Sequence, residues 1–187
     1  DFDRLDDIVY EWEQRTGMKM DFETFFGEIF QKDVNNYLLI DRETGVTKAK
    51  GSYVMKLNDL SYDLPIINQA LVDYMIKGIP IERTIGECND LREFQLVSKI
   101  SSKYTHILYG SQRLKEQCIR VFASKNENDP GVKKVKAANG RAEKIANSPE
   151  HCFIWNNNVK GVPVPEKLDK QWYINFARKR LNDFGVI

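Results

Sequence analysis

The chain has 187 residues, of which 42% are hydrophobic and 11% aromatic, with 28 basic and 27 acidic side chains. This length fits one domain or two small ones, and the aromatic content excludes global disorder. No apolar run approaches the roughly 20 residues that span a bilayer and no signal-peptide pattern opens the chain, so the sequence predicts a soluble protein without membrane contact.

A helix is predicted at the start of the chain, and a second short helix after it. The apolar residues of the first helix recur at helical spacing: Leu5, Ile8, Val9 and Trp12. Gly17 then ends this helix. An aromatic stripe near residues 22–30 predicts the second helix, whose apolar side is expected in the core: Phe22, Phe25, Phe26, Ile29 and Phe30.

A β-hairpin is predicted next. The β-rich run Asn36–Asp41 is followed by a turn over residues 42–45 and by the alternating run Val46–Gly51. Alternation places Lys48 and Lys50 on the same face of the second strand. Two lysines on one strand face suit a phosphate backbone, but lysines also protect a solvated sheet edge from aggregation, and the sequence leaves both readings open.

The middle of the chain is predicted to be helical. One helical face carries the residues Ile67, Ala70, Leu71, Tyr74 and Met75. Helical stretches near residues 81–87 and 90–99, the second capped by Asn89 or Asp90, complete a small antiparallel bundle. A last helix is predicted after Pro165.

From Tyr104 onwards the pattern changes to short β-like runs, and the charge changes with it. The runs are Ile107–Tyr109, Ile119–Ala123 and Cys152–Trp155. Residues 1–98 have a net charge of −8, whereas residues 99–144 carry 11 basic and 4 acidic side chains, a net charge of +7. Within them, Gly131–Lys144 predicts a mobile basic loop or a hairpin. Such an excess of positive charge attracts polyanions, although a solvated basic face that binds nothing has the same composition.

The cysteines and histidines form no recognisable site. Cys88, Cys118 and Cys152 include no CxxC pair, so we expect neither a disulfide framework nor a structural zinc, and a reducing, intracellular setting fits best. The sequence also contains no P-loop, GxGxxG, HExxH or GxSxG motif. The adjacent pair His151 and Cys152 leaves one alternative open, that of a small thiol enzyme.

The order of these features resembles one region of the family B DNA polymerases. Residues 18–30, followed by residues 33–40, are similar to the segment in which the palm ends and a Lys-x-Tyr motif leads towards the thumb. Tyr37 matches the tyrosine of that motif, whereas Asn35 stands where the family has lysine. The missing positive charge is expected from another lysine: Lys32, Lys48 or Lys50.

The resemblance continues downstream. Glu43-Thr44-Gly45 and Lys48-Ala49-Lys50-Gly51 stand where the family has a short Gly-containing turn and a lysine-bearing strand. The helices from Pro65 to Glu93 look like the first thumb helices, and Phe94–Tyr104 looks like the strand and lysine-rich turn of the inner thumb. Leu168–Ala177 is similar to the final Asp-x-x-Tyr-Tyr helix. The match covers nearly the whole chain in order and indicates a phage or mobile-element branch.

The resemblance implies an α+β fold with an end-of-palm segment, residues 1–56, and a thumb-like domain, residues 57–187. It implies part of a DNA-directed DNA polymerase that holds primer–template duplex behind the active site, in the cytoplasm of a bacterial host. The expected partners are that duplex and the palm of the parent polymerase. The residues expected to contact DNA are Asn35, Tyr37, Lys48 and Lys50 near the primer terminus, and Lys99, Lys103, Lys133, Lys134 and Lys136 in the thumb groove.

No catalytic residue and no metal site is expected in this chain. The family's metal-binding aspartates lie upstream, in motifs resembling Ser-Leu-Tyr-Pro-Ser and Asp-Thr-Asp-Ser, and neither string occurs here. Two-metal phosphoryl transfer needs such carboxylates to hold both Mg²⁺ ions, so Mg²⁺ belongs to the parent polymerase and the chain alone is not expected to polymerise. Because the chain opens at Asp1 without a methionine, we expect it to be a piece of a longer protein.

A stand-alone, non-enzymatic module is the main alternative. Its acidic N-terminal half would dock a basic protein partner, or its basic segment would bind nucleic acid on its own. Both the uneven charge and the lack of site chemistry fit this alternative.

Overall fold

The structure is a computed structural model that describes residues 2–20, 27–45, 47–54 and 63–187. Over these residues the chain is a mixed α+β protein that ends in a helix, which confirms the predicted fold class. Its helices are Phe2–Thr16 (α1), Pro65–Lys77 (α2), Ile81–Glu87 (α3) and Lys170–Asp183 (α4), with a 3₁₀ helix over Leu91–Phe94.

The strands form three small antiparallel sheets. The strands are Gly27–Asp33 (β1), Asn36–Asp41 (β2), Thr47–Lys50 (β3), Leu96–Lys99 (β4), Tyr104–Tyr109 (β5), Gln112–Leu114 (β6), Cys118–Ala123 (β7), Val132–Lys136 (β8), Ala142–Lys144 (β9) and Cys152–Ile154 (β10). The first sheet has the order β1-β2-β3, the second β10-β7-β4 and the third β6-β5-β8-β9.

The first sheet contains the predicted hairpin, β2 and β3, and an additional strand. Strand β1 occupies part of the stretch predicted as a second helix, so that helix is wrong from Gly27 onwards, and its remaining residues, 21–26, lie outside the described part. Phe30 lies opposite the buried Leu38, whereas its neighbour Ile29 lies opposite Leu39 and is 64% exposed. Adjacent apolar residues thus project to opposite faces of a strand, and pairing with β2 outweighs the helical spacing.

The helical middle section forms as predicted up to Phe94. The apolar face of α2 is buried and the helix ends at Gly78, whose φ of 66° is the left-handed conformation that glycine adopts at little cost. The predicted helix 90–99 is only a 3₁₀ turn, in which the Asp90 carboxylate accepts a hydrogen bond from the Arg92 N–H at 2.9 Å. Burial then alternates along Leu96–Lys99, so strand β4 forms and pairs with β7.

Helix α4 joins the helices to the second sheet. Asp169 caps it by accepting hydrogen bonds from the N–H groups of Gln171 and Trp172. Tyr173, 1% exposed, donates its hydroxyl to the Phe94 carbonyl at 2.8 Å and accepts from the Ala123 N–H at 3.2 Å. One side chain therefore links α4, the 3₁₀ turn and β7.

One hydrophobic cluster includes residues from the hairpin, from helices α2, α3 and α4, and from the second and third sheets, among them Leu38, Leu71 and Val121. Helix α1 forms as predicted, but its apolar face is open to solvent, with Leu5 48% and Ile8 58% exposed. The predicted domain boundary between residues 56 and 57 lies outside the described residues and stays a prediction. No helix in the described ranges is long and apolar enough to cross a membrane.

Candidate nucleic-acid interface

The hairpin presents two lysines and a tyrosine on one face, which we call the hairpin face. Lys50 lies directly opposite Tyr37, and Lys48 lies opposite Leu39, so these four side chains project to the same side of the sheet. The other side carries Leu38 and is packed in the core. The predicted placement of Lys48 and Lys50 on one face is therefore confirmed, and Tyr37 joins them.

Asn35 lies at the tip of the turn between β1 and β2. Its N–H donates to the Asp33 carboxylate at 2.8 Å, and its side chain is exposed. Lys32 also binds that carboxylate, at 2.8 Å, and its ammonium lies 5.3 Å from the centre of the Tyr53 ring. Lys32 is thus committed within the chain, which leaves Lys50, exposed at the end of β3, as the candidate for the charge that Asn35 lacks.

The Asp33 carboxylate gives this turn a pH dependence. Its hydrogen bonds from Lys32 first, and then from the Asn35 N–H, lower the pKa of Asp33 to about 2. Because the pKa of Asp33 is lower in the folded state than in the unfolded chain, its ionised carboxylate stabilises the folded state at pH values above about 4. This stabilisation is lost as the pH falls from about 4 towards 2.

We therefore expect Asp33→Asn to be less stable than the unmodified chain at pH 7, with the difference shrinking as the pH falls from 4 to 2. Urea unfolding across this range measures the difference, and Asp7→Asn on α1 controls for the loss of one exposed carboxylate. A difference that does not change with pH contradicts the assignment.

The third sheet carries a row of paired residues across its four strands, and three of those strands contribute a cation to it. Leu108 pairs with Arg113 on one side and with Lys133 on the other, and Lys133 pairs with Lys144. Directly paired residues project to the same face, so Arg113, Lys133 and Lys144 form what we call the cationic row. All three are exposed, and none takes part in an ion pair with another described residue.

The other lysines of the basic segment point elsewhere, because residues alternate along β8. The Lys134 ammonium donates to the Lys99 carbonyl at 2.7 Å. Lys136 forms an ion pair with Glu143, and that hydrogen bond lowers the pKa of Glu143. The segment is therefore a β-hairpin, and of the three predicted lysines on β8 only Lys133 lies in the cationic row.

Lys99 and Lys103, the remaining candidates, are both exposed, at the end of β4 and in the turn before β5. Arg113 and Lys144 were missed as site residues. Lys144 stood in the recognised basic segment, but it lies on the next strand, and only the register of β9 against β8 places it on the same face as Lys133. Only the register of β5 against its neighbours shows that Arg113 belongs with them.

The pair His151 and Cys152 is not arranged as a base and a nucleophile. Cys152 is fully buried, its thiol donates to the Pro130 carbonyl at 3.3 Å, and burial raises its pKa to about 12. His151 Nδ1 lies 3.0 Å from the Asp129 carbonyl oxygen. The thiol is thus protonated near neutral pH, which does not fit nucleophilic catalysis. The described residues also include no group of three or more histidine, cysteine or carboxylate side chains able to hold a metal ion.

Comparison of the chain with protein-family models, with curated proteins and with solved structures finds no significant match. The resemblance to family B polymerases therefore rests on the motifs in the sequence and on their order. The function is inferred from those motifs together with the geometry of the hairpin face and the cationic row.

Proposed function

We propose that this chain is the palm-edge and thumb part of a family B-like DNA-directed DNA polymerase, and that it grips primer–template duplex by the phosphate backbone. The observation that carries the proposal is the cationic row. Neighbouring strands lie about 4.8 Å apart, so a row across four strands extends over about 14 Å. That length is comparable with the ~12 Å width of the DNA major groove, so its cations can reach phosphates on both sides of a groove.

The chemistry of both faces favours grip without sequence readout. Lysine and arginine on one sheet face neutralise phosphates, whereas base recognition needs side chains that enter a groove. The hairpin face adds Lys48 and Lys50, with the Tyr37 ring available to pack against a sugar or a base near the primer end. We propose that the two faces bind the same duplex.

The test is a salt titration of the whole chain with a fluorescent primer–template duplex. Five cations, two on the hairpin face and three in the cationic row, predict a slope of log K against log salt of about −4.5, from roughly −0.9 per phosphate. An unrelated duplex is expected to give the same slope and affinity. A slope near −1, or strong preference for one sequence, contradicts the backbone grip.

A double charge reversal tests the hairpin face separately. Lys48→Glu with Lys50→Glu is expected to weaken binding by a similar factor for every duplex sequence, because only phosphate contacts are lost. The matched control is Lys125→Glu with Lys160→Glu, which changes the net charge equally at exposed lysines outside both faces.

The stand-alone docking module remains the second candidate, and helix α1 is the observation that favours it. Leu5, Ile8 and Tyr10 are exposed beside several carboxylates of the same helix. This combination suits a basic amphipathic helix as the partner. The test is binding of a synthetic basic amphipathic peptide to the whole chain and to the double variant Leu5→Gln with Ile8→Gln. If the chain binds the peptide, the variant does not, and the chain binds no duplex, this candidate is favoured over the polymerase proposal.

A further inference from the structure

A cavity of about 350 Å³ lies where helix α2, strand β4, the basic hairpin and helix α4 meet. We call it the junction cavity. Its wall combines apolar and polar side chains: Leu64, Leu96, Ile145, Ser98, Lys134 and Arg180. A concave site of this size that combines apolar walls with convergent polar groups suits a small molecule.

Two cations reach the junction cavity from different elements. The Lys134 ammonium is fixed beside β4 by its hydrogen bond to the Lys99 carbonyl, which uses one of its three protons. Arg180 donates from Nη1 to the buried Asn68 Oδ1 at 3.0 Å, which leaves most of its five donors for other acceptors.

The Arg180 guanidinium is largely surrounded by other side chains. It lies 4.5 Å from the centre of the Tyr53 ring and 4.9 Å from that of Phe176. Burial lowers the pKa of Arg180, and the nearby Tyr53, Asp183 and Asp63 partly oppose this shift. Because neither carboxylate forms a direct ion pair with Arg180 within the described ranges, an anion bound in the cavity supplies a closer countercharge.

Ser98 is a third polar residue of the cavity wall. It lies on β4 and lines the junction cavity. Its hydroxyl is a hydrogen-bond donor that a ligand bound in the cavity can reach.

Backbone strain is concentrated at the same place. In the described part of the chain, the non-glycine residues with positive φ are Leu64, at 49°, and Asn147, at 59°, and both line the junction cavity. Asparagine tolerates this conformation, but leucine rarely adopts it. Such strain is characteristic of sites that bind or react.

The cavity wall also contains an acidic residue, Asp63. Its carboxylate accepts a hydrogen bond from the Val97 N–H at 2.8 Å, so it is partly committed to the backbone of β4. Two cations against one carboxylate leave the described lining of the cavity with a positive balance. This balance favours an anionic ligand.

From these observations we infer that the junction cavity binds a phosphate monoester, either a free nucleotide or the phosphorylated end of a nucleic-acid strand. Lys134 and Arg180 neutralise the phosphate, and the Ser98 hydroxyl donates a hydrogen bond to it. The apolar residues Leu64 and Ile145 pack against the remainder of the ligand. This site is separate from the duplex grip and does not depend on it.

Isothermal titration calorimetry of the whole chain tests the site with inorganic phosphate, deoxyadenosine 5′-monophosphate and deoxyadenosine. Phosphate and the nucleotide are expected to bind, and the unphosphorylated nucleoside is not. Ser98→Ala is expected to weaken nucleotide binding about tenfold, which is the loss of one hydrogen bond to a charged group. Lys134→Met is expected to weaken it at least as much, since it removes a full charge.

The matched controls are Ser101→Ala and Lys160→Met, both at exposed positions outside the cavity, and they are expected to bind as the unmodified chain does. Circular dichroism verifies that each variant is folded, and amide shifts of residues 96–98 on phosphate addition locate the site without mutation. The inference is overturned if neither phosphate nor nucleotide binds at about 10 mM, tenfold above a Kd of 1 mM. It is equally overturned if both bind with unchanged affinity in folded Ser98→Ala and Lys134→Met.

A final comparison separates the two sources of the phosphate. The chain is titrated with a duplex that has a 5′-phosphate and with the same duplex ending in a 5′-hydroxyl. If the phosphorylated duplex binds more tightly, and Ser98→Ala removes this difference in affinity, the ligand is a strand end. Equal binding of the two duplexes, with the nucleotide still bound, identifies a free nucleotide. Neither result depends on the salt slope that tests the proposed grip.

Discussion

Replacing Arg113, Lys133 and Lys144 together by glutamine is expected to change the salt slope of duplex binding from about −4.5 to about −1.8. Each cation that neutralises a phosphate contributes roughly −0.9 to that slope, and the cationic row supplies three. At about 0.1 M salt the same counterion release corresponds to a loss of affinity of 10²–10³-fold. Salt titrations of the variant and the unmodified chain with one duplex measure both quantities.

The control for this variant is the triple change of Lys125, Lys160 and Lys179 to glutamine. These lysines are exposed, and removing them lowers the net charge by the same three units. If both triple variants reduce the slope equally, binding reflects total charge, and the register of the third sheet has no part in it. A loss confined to the cationic row supports a defined backbone contact.

The helices and strands that were predicted correctly are those whose apolar residues follow a single period along the chain. The apolar face of α2, the hairpin of β2 and β3, and the short strands after Tyr104 each follow from local spacing and turn residues, and all of them formed. The secondary structure was predicted wrongly where the same apolar residues fit both the helical period and the strand period. Phe30 suits either a helix or a strand, and only its pairing with Leu38 decides.

The cationic row could not be predicted from the sequence because it depends on the register in which the strands of the third sheet pair. Leu108 lies between Arg113 and Lys133, which are 20 positions apart, and only the pairing of β5 with both neighbours brings those cations together. Conversely, Lys134 and Lys136 looked equivalent to Lys133 in the sequence. Alternation turned both to the other face, where each has a partner within the chain.

Tyr173→Phe is expected to lower the free energy of unfolding by about 2–4 kcal/mol, although it removes a single oxygen atom. The hydroxyl satisfies two backbone groups, the Phe94 carbonyl and the Ala123 N–H, and a buried polar group left without a partner costs about 1–3 kcal/mol. The ring is retained, with its edge-to-face contacts to Phe94 at 5.0 Å and Trp172 at 4.9 Å between ring centres. The variant therefore isolates the hydrogen bonds from the packing.

Urea unfolding at pH 7 measures this loss, with Tyr10→Phe as the control. Tyr10 is 64% exposed on α1, so the same chemical change there is expected to alter stability by less than about 0.5 kcal/mol. Burial raises the pKa of Tyr173, so its hydroxyl stays protonated and the loss is expected to be equal at pH 6 and pH 9. A loss as small as that of Tyr10→Phe means that the Phe94 carbonyl and the Ala123 N–H find other partners. In that case α4, the 3₁₀ turn and β7 are held together by apolar packing alone.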